Sequence, residues 1–330
     1  MKIQIRWQPI KYLSRHQYSN PIDTILSDLR RNILATLAYF DLFSYPLTMD
    51  EIYLFLPVKC AVEDFEYACR GLVIDRHVHK FDKFYTLRND YFLIERREKG
   101  NFKAAKLIAT AKKVGDLLIR FPYVRGIAIS GSLSKNFADN DSDIDLFIIT
   151  AKNRLWIART MMHLLKKLTF LVKREHYFCM NYYIDEQDLL IHEKNIYTAT
   201  EVATLIPLNG DTMFEQFFNA NTWTREYLPN KHLRIASAKP VKDSLLKKIA
   251  EFIFNNPAGD VLDNLLLRIT ANRWRKKMLL KKKNNRGIIL AMDAGKHYTK
   301  PDPANFQMKL LAHYLNKVSQ VLERCERIVV

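Results

Sequence analysis

The chain has 330 residues, 48% of them hydrophobic, and a formal net charge of +17; that is enough for two or three domains with real cores and excludes a disordered polymer. The basic opening MKIQIRWQPIKYLSRHQYSN lacks the apolar core of a secretory signal, and no later run reaches the roughly 18 apolar residues of a membrane span, so a soluble cytoplasmic protein with no membrane partner is expected. Four scattered cysteines, Cys60, Cys69, Cys179 and Cys325, form no CxxC pair and argue against zinc or disulfides, while the excess of cations calls for an anionic partner.

Residues 1–27 read as a polar N-terminal extension. From 22 to 43, Ile25, Leu29, Ile33, Leu34, Leu37 and Phe40 recur at helical spacing. Pro46 breaks the chain, and Thr48 followed by Glu51 predicts a capping box opening a short second helix that ends near Pro57. A third helix is expected over 61–74. Alternating residues at 77–80 and 83–87, joined by Phe81-Asp82, predict a small hairpin. Three helices and a hairpin, over about 28–92, resemble a winged helix in element order. On a DNA-reading third helix, Glu63, Asp64 and Glu66 would face phosphates, so the segment reads better as a packing or protein-contact module.

A connecting helix is expected over 95–121. It leads to a strand at 124–129, a small polar turn, a strand at 144–150, a helix at 153–173 and a strand at 177–184. Strands alternating with helices mark a mixed α/β core over 93–193. From 194 to 330 the signals are mostly helical, broken near Pro207, Pro229, Pro240 and Pro257.

The segment GIAISGSLSKNFADNDSDIDLFIIT, starting at Gly126, carries the chemistry. Gly131 has no side chain, so a triphosphate can approach the backbone, and Ser132 offers a hydroxyl and an amide at a helix start, where anions are favoured. Residues two apart on a strand share a face, so Asp143 and Asp145 present paired carboxylates while Ile144 and Leu146 turn into the core. Two such carboxylates repel unless a divalent cation sits between them. Mg2+ is the natural candidate, with Mn2+ as its substitute, because it takes carboxylate and phosphate oxygens together. In two-metal sites such ions stabilise attacking and leaving oxygens of an in-line displacement.

With Ser130-Gly131-Ser132, ten intervening residues, and then Ser142-Asp143-Ile144-Asp145-Leu146, the chain resembles the nucleotidyltransferase superfamily of the DNA-polymerase-β type. The resemblance covers about 122–186. It implies transfer of a nucleoside monophosphate from an NTP substrate to an acceptor hydroxyl, with Asp143 and Asp145 holding metal and Gly131, Ser132 and Lys135 at the nucleotide. Acceptors in this superfamily include small molecules, proteins and nucleic-acid ends, and the motif does not select among them.

The resemblance also implies a third carboxylate on the next strand, where this chain has Asn181. An asparagine offers a carbonyl oxygen but no charge and no base at neutral pH. Three readings stay open: Asn181 is a weaker ligand; Asp185 or Asp188 takes its place, Asp185 sharing the face of Asn181 by parity but lying about 13 Å further along; or the site binds nucleotide without efficient turnover, as a regulator or scaffold. Arg154 and Arg159 can lean toward the site or lie at the surface, and His176 and His192 have no partner at metal spacing. The segment from Arg268 to Arg286, RITANRWRKKMLLKKKNNR, surrounds Trp274 with cations and suits a nucleic-acid backbone or a solvated helix face. The expected fold is α+β: a winged-helix-like N-terminal module, a mixed-sheet nucleotidyltransferase core and a helical C-terminal domain.

Overall fold

A computed structural model describes residues 21–170, 175–231, 238–241, 243–283, 291–301 and 306–328. The opening segment 1–20, the expected helix end at 171–173 and the last part of the basic segment, 284–286, lie outside the described residues.

The chain opens with α1 (Pro21–Asp41), β1 (Leu47–Thr48), α2 (Met49–Phe55), α3 (Val62–Ile74), β2 (His79–Phe81) and β3 (Phe84–Thr86). The capping box forms: Glu51 N–H donates to the Thr48 hydroxyl at 3.2 Å, and Thr48 N–H donates to the Glu51 carboxylate at 3.0 Å. The three strands form an antiparallel sheet in the order β1-β3-β2, so the hairpin gains a partner that two residues of sequence could not announce. Arg97 of α4 (Phe92–Leu118) fastens this segment to the rest. Its buried guanidinium pairs with Glu51 at 2.6 Å and stacks 3.6 Å from the centre of the Tyr45 ring.

Next come β4 (Val124–Ile129), β5 (Asp145–Thr150), α5 (Leu155–Phe170), β6 (Cys179–Asp185), α6 (Ile196–Thr204), β7 (Ile206–Asn209) and α7 (Asp211–Ala220). The chain continues through α8 (Leu245–Phe254), α9 (Pro257–Leu279), β8 (Met292–Ala294), β9 (Tyr298–Pro301) and α10 (Phe306–Ile328). The main sheet runs β7-β4-β5-β6-β9-β8, with only β5 and β6 parallel. Three of its six strands follow residue 194, so the mostly helical C-terminal region also contributes half the strands of the main sheet. Ile206-Pro207-Leu208-Asn209 and the polar β8–β9 pair are too short to show a period-2 pattern, and pairing with β4 and β6 supplies what the pattern lacks.

Both faces of the sheet are covered. Alternation along β5 sends Phe147 and Ile149 into a core shared with α1, α6, α7 and α10, and Leu146 and Ile148 into a second core with α4 and α5. Asp145 belongs by alternation to the Phe147 face. Tyr39 of α1 packs edge-on against Tyr314 of α10, so the two ends of the described chain meet beneath that face.

Candidate active site

The site is built at the edge where β4 ends and β5 begins. The last rung between them is Ser130 N–H donating to the carbonyl of Asp145 at 2.9 Å. Gly131 then turns with φ +65°, a conformation that costs an L side chain, and a Cβ there would lie 2.5 Å from Oδ2 of Asp145. Two separate constraints thus require glycine, and both bring bare backbone against a carboxylate. Ser132 is exposed. The expected helix behind it is a single 3-10 turn, Leu133–Lys135, too short to sum a dipole, so any affinity for an anion rests on local amides rather than a helix end.

Two donors hold the Gly131 carbonyl: the Ser134 hydroxyl at 2.8 Å and the Lys135 ammonium at 3.0 Å. Lys135 also forms an ion pair with Glu201 of α6 at 2.7 Å, and the hydroxyl of Tyr45 donates to its backbone carbonyl. Lys135 therefore shapes the glycine turn from beneath.

Asp143 lies just ahead of β5, Ile144 is fully buried, and half-buried Asp145 opens the strand. The Asp145 carboxyl is pushed up to about 6. Burial is the main cause; the neighbouring Cys179 thiol opposes it, and the charges of Asp143 and Glu201 add to it. The Cys179 thiol is itself pushed up to about 12 by burial and by Asp145, so it stays protonated and acts as a hydrogen-bond donor.

Asn181 is brought to this pair. Its amide nitrogen donates to Oδ1 of Asp145, while its Oδ1 accepts from the Cys179 thiol at 3.2 Å. The geometry comes from a β-bulge: Leu146 pairs with Met180 but Phe147 pairs with Tyr182, which leaves Asn181 as the extra residue. The bulge also shifts the parity of everything after it. Tyr183 joins the core opposite Asp145, and Asp185, paired with Thr150, shares that opposite face, so the expected common face of Asn181 and Asp185 does not exist.

Asp185 lies at the far end of β6. Fully buried, it accepts from the amides of Asn153 and Gln187, each at 3.0 Å, and pairs with His297 at 2.8 Å. It clamps the α5 entry and the β8–β9 turn. Asp188 pairs with His192 at 3.1 Å. Arg154 is also remote from Asp145, bonded to Asp260 and the carbonyl of Phe254, and Arg159 is buried beside Trp156. The side chain of His176 lies outside the described residues.

Sequence reasoning missed Glu201 and Tyr197 of α6. Both lie close enough to act electrostatically at the site, and Tyr197 is pushed above its ordinary value by burial, then by Glu201 and Asp145. Their separation of four residues places them on one helix face, yet nothing in that spacing says which strand end the face will meet. Among the described residues no group of three or more His, Cys, Asp or Glu is arranged to hold a metal ion. The residues that could offer oxygens to a cation here are Asp143, Asp145 and, after rotation of its amide, Asn181. Two carboxylates and one neutral oxygen fit a magnesium ion that takes its other ligands from phosphate and water.

No curated protein and no solved structure matches the chain. A family model does match, from the middle of α4 into α6, and it takes in the glycine turn, both aspartates, Asn181 and Glu201. Residues 111–202 are thus a nucleotidyltransferase domain.

Proposed function

We propose that the chain transfers a nucleoside monophosphate from an NTP to an acceptor hydroxyl with the help of Mg2+ or Mn2+. The observation that carries this is the Asp143–Asp145 pair, in which burial first and the charge of Asp143 after it raise Asp145 to about 6, set directly against the side-chain-free turn at Gly131. A pair left repelling in partial burial is a cost to the fold that a bound cation offsets. When bound, the cation would polarise the α-phosphate and stabilise the leaving pyrophosphate.

The chain's own groups do the rest. The backbone at Gly131 and Ser132 receives the triphosphate. Asp143 and Asp145 hold the cation; Asn181, bonded to Asp145 and to the Cys179 thiol in the metal-free site, turns its amide oxygen toward the cation when one binds. The acceptor oxygen forms its bond to the α-phosphorus as the bond to the bridging oxygen breaks. Asn181 cannot take the acceptor's proton at neutral pH; Glu201, whose charge reaches Asp145, is the nearby side chain able to.

A second reading is favoured by the amide of Asn181. It presents a donor rather than an acceptor to Asp145, an arrangement suited to a domain that binds nucleotide without turning it over. The N-terminal segment, with three helices and a β1-β3-β2 sheet, supports a winged-helix-like module that contacts protein. Glu63 and Asp64 are exposed on α3, Arg70 is tied to Glu66, and Tyr67 and Ile74 protrude beside them.

Calorimetric titration of Mg2+ and each NTP into the protein and into Asp143→Ala/Asp145→Ala separates the readings when combined with a turnover assay. Binding with labelled acceptor supports the transferase; binding without product under any NTP supports the regulator; no metal-dependent binding defeats both.

A further inference from the structure

Helix α8 is built with its polar side inward. Lys247, 2% exposed, donates to the carbonyls of Ile119 and Val124 at 3.1 and 2.8 Å. Glu251 accepts from both terminal nitrogens of Arg125 at 2.8 Å and from the Tyr123 amide at 2.7 Å. These bonds fix the rotation of the helix and turn its apolar side out. Leu246 is 80% exposed and Phe252 84%, with Leu245, Ile249 and Ile253 all more than half exposed on the same face. Among the described residues nothing covers this apolar face, and a face held in place by specific polar bonds marks a surface for another partner.

The far end of α9 repeats this chemistry. Leu279 and Leu280, 76% and 68% exposed, protrude between Lys276 and the run Lys281, Lys282 and Lys283, and those four lysines are exposed as well. From 243 to 283 the chain has four acids, and each is already engaged. Asp243 pairs with Lys247, Glu251 with Arg125 and Asp260 with Arg154, while Asp263 accepts from the amide of Ile157. Asp243 and Asp260 stay partly exposed beside their cations, and the exposed cations left over include Lys248 on α8 itself and Lys276 and Lys281 to Lys283 at the end of α9, so each apolar patch carries lysine beside it.

That combination decides between covers. A second copy would bring the same cations together in a chain of formal charge +17. A nucleic-acid backbone matches the lysines but offers nothing to Leu246, Phe252 or Leu279. A bilayer surface with anionic headgroups matches both, the apolar side chains entering the acyl boundary and the lysines lying against phosphate. No helix among the described residues is long and apolar enough to cross a membrane, so the contact is peripheral. We infer that the α8–α9 face docks on a bilayer surface rich in anionic phospholipid.

The test is co-sedimentation of the full chain with vesicles of phosphatidylcholine alone and of phosphatidylcholine with roughly a third phosphatidylglycerol, at physiological salt. The protein pellets with the anionic vesicles and not with the neutral ones. Leu246→Glu/Phe252→Glu, which changes only exposed side chains and leaves the melting temperature unaltered, weakens binding roughly tenfold or more. Failure to pellet with anionic vesicles overturns the inference. So does a solution dimer that the same double change dissociates, or binding to an RNA oligonucleotide that the change leaves intact and anionic vesicles do not compete.

Discussion

The amide nitrogen of Asn181 donates to Oδ1 of Asp145, across a β-bulge that exists at no other position of the β5–β6 pair. A neutral side chain therefore stands against a carboxylate already raised by burial and by Asp143. Asn181→Asp adds a third negative charge and deepens the repulsion. In the absence of metal the variant is destabilised by roughly 1–2 kcal/mol. Millimolar Mg2+ or Mn2+ reverses the loss and raises the melting temperature above that of the parent. A thermal melt with and without Mn2+ checks both signs, and a variant indifferent to metal contradicts the assignment of Asn181 to the cation site.

The pH dependence follows from Asp145. Its folded value of about 6 exceeds the ordinary 3.8, so the folded state binds this proton more tightly than the unfolded chain. Its contribution to stability is most favourable below about pH 4 and is lost as pH rises toward 6. At pH 7.5 Asp145→Asn is accordingly more stable than the parent, by roughly 1–3 kcal/mol. Cation binding runs the other way, because it needs the carboxylate: affinity for metal-bound NTP rises with pH up to about 6 and then levels. Calorimetric titrations from pH 5 to 7.5 show this slope in the parent.

Gly131→Ala meets two obstacles, the left-handed φ and the carboxylate oxygen 2.5 Å from the new Cβ. The conformational strain alone costs roughly 1–2 kcal/mol, and relief of the clash displaces Asp145. Nucleotide affinity falls more than stability does. Equal losses in unfolding and in nucleotide titrations would mean that the turn only supports the fold.

Asp185→Ala has the opposite signature. It strips two amides and His297 of their acceptor and costs roughly 2–4 kcal/mol. Metal-dependent nucleotide affinity, measured well below the melting temperature, stays within about twofold of the parent. A selective loss of affinity would return Asp185 to the site.

The glycine turn is legible because it depends on a local rule, a backbone that excludes Cβ; the pairing of Asp143 with Asp145 is expected from strand alternation, although β5 begins only at Asp145. The hairpin and the Thr48–Glu51 capping box were legible for the same reason. The shared face expected for Asn181 and Asp185 fails because parity along a strand holds only without a bulge, and the bulge at Asn181 has no local signature. Strands β7, β8 and β9 and the approach of Glu201 depend on partners far away in the chain, which no window of sequence contains.

The central claim is chemical, and the position of the label tests it most directly. The protein is incubated with Mg2+, a cell extract as the source of acceptor, and each NTP labelled in turn on the α- or the γ-phosphate. Nucleotidyl transfer places the α-label on an acceptor, releases the γ-label as pyrophosphate, and is abolished by Asp143→Ala/Asp145→Ala. Transfer of the γ-label, or α-labelled product that survives the double change, would contradict it.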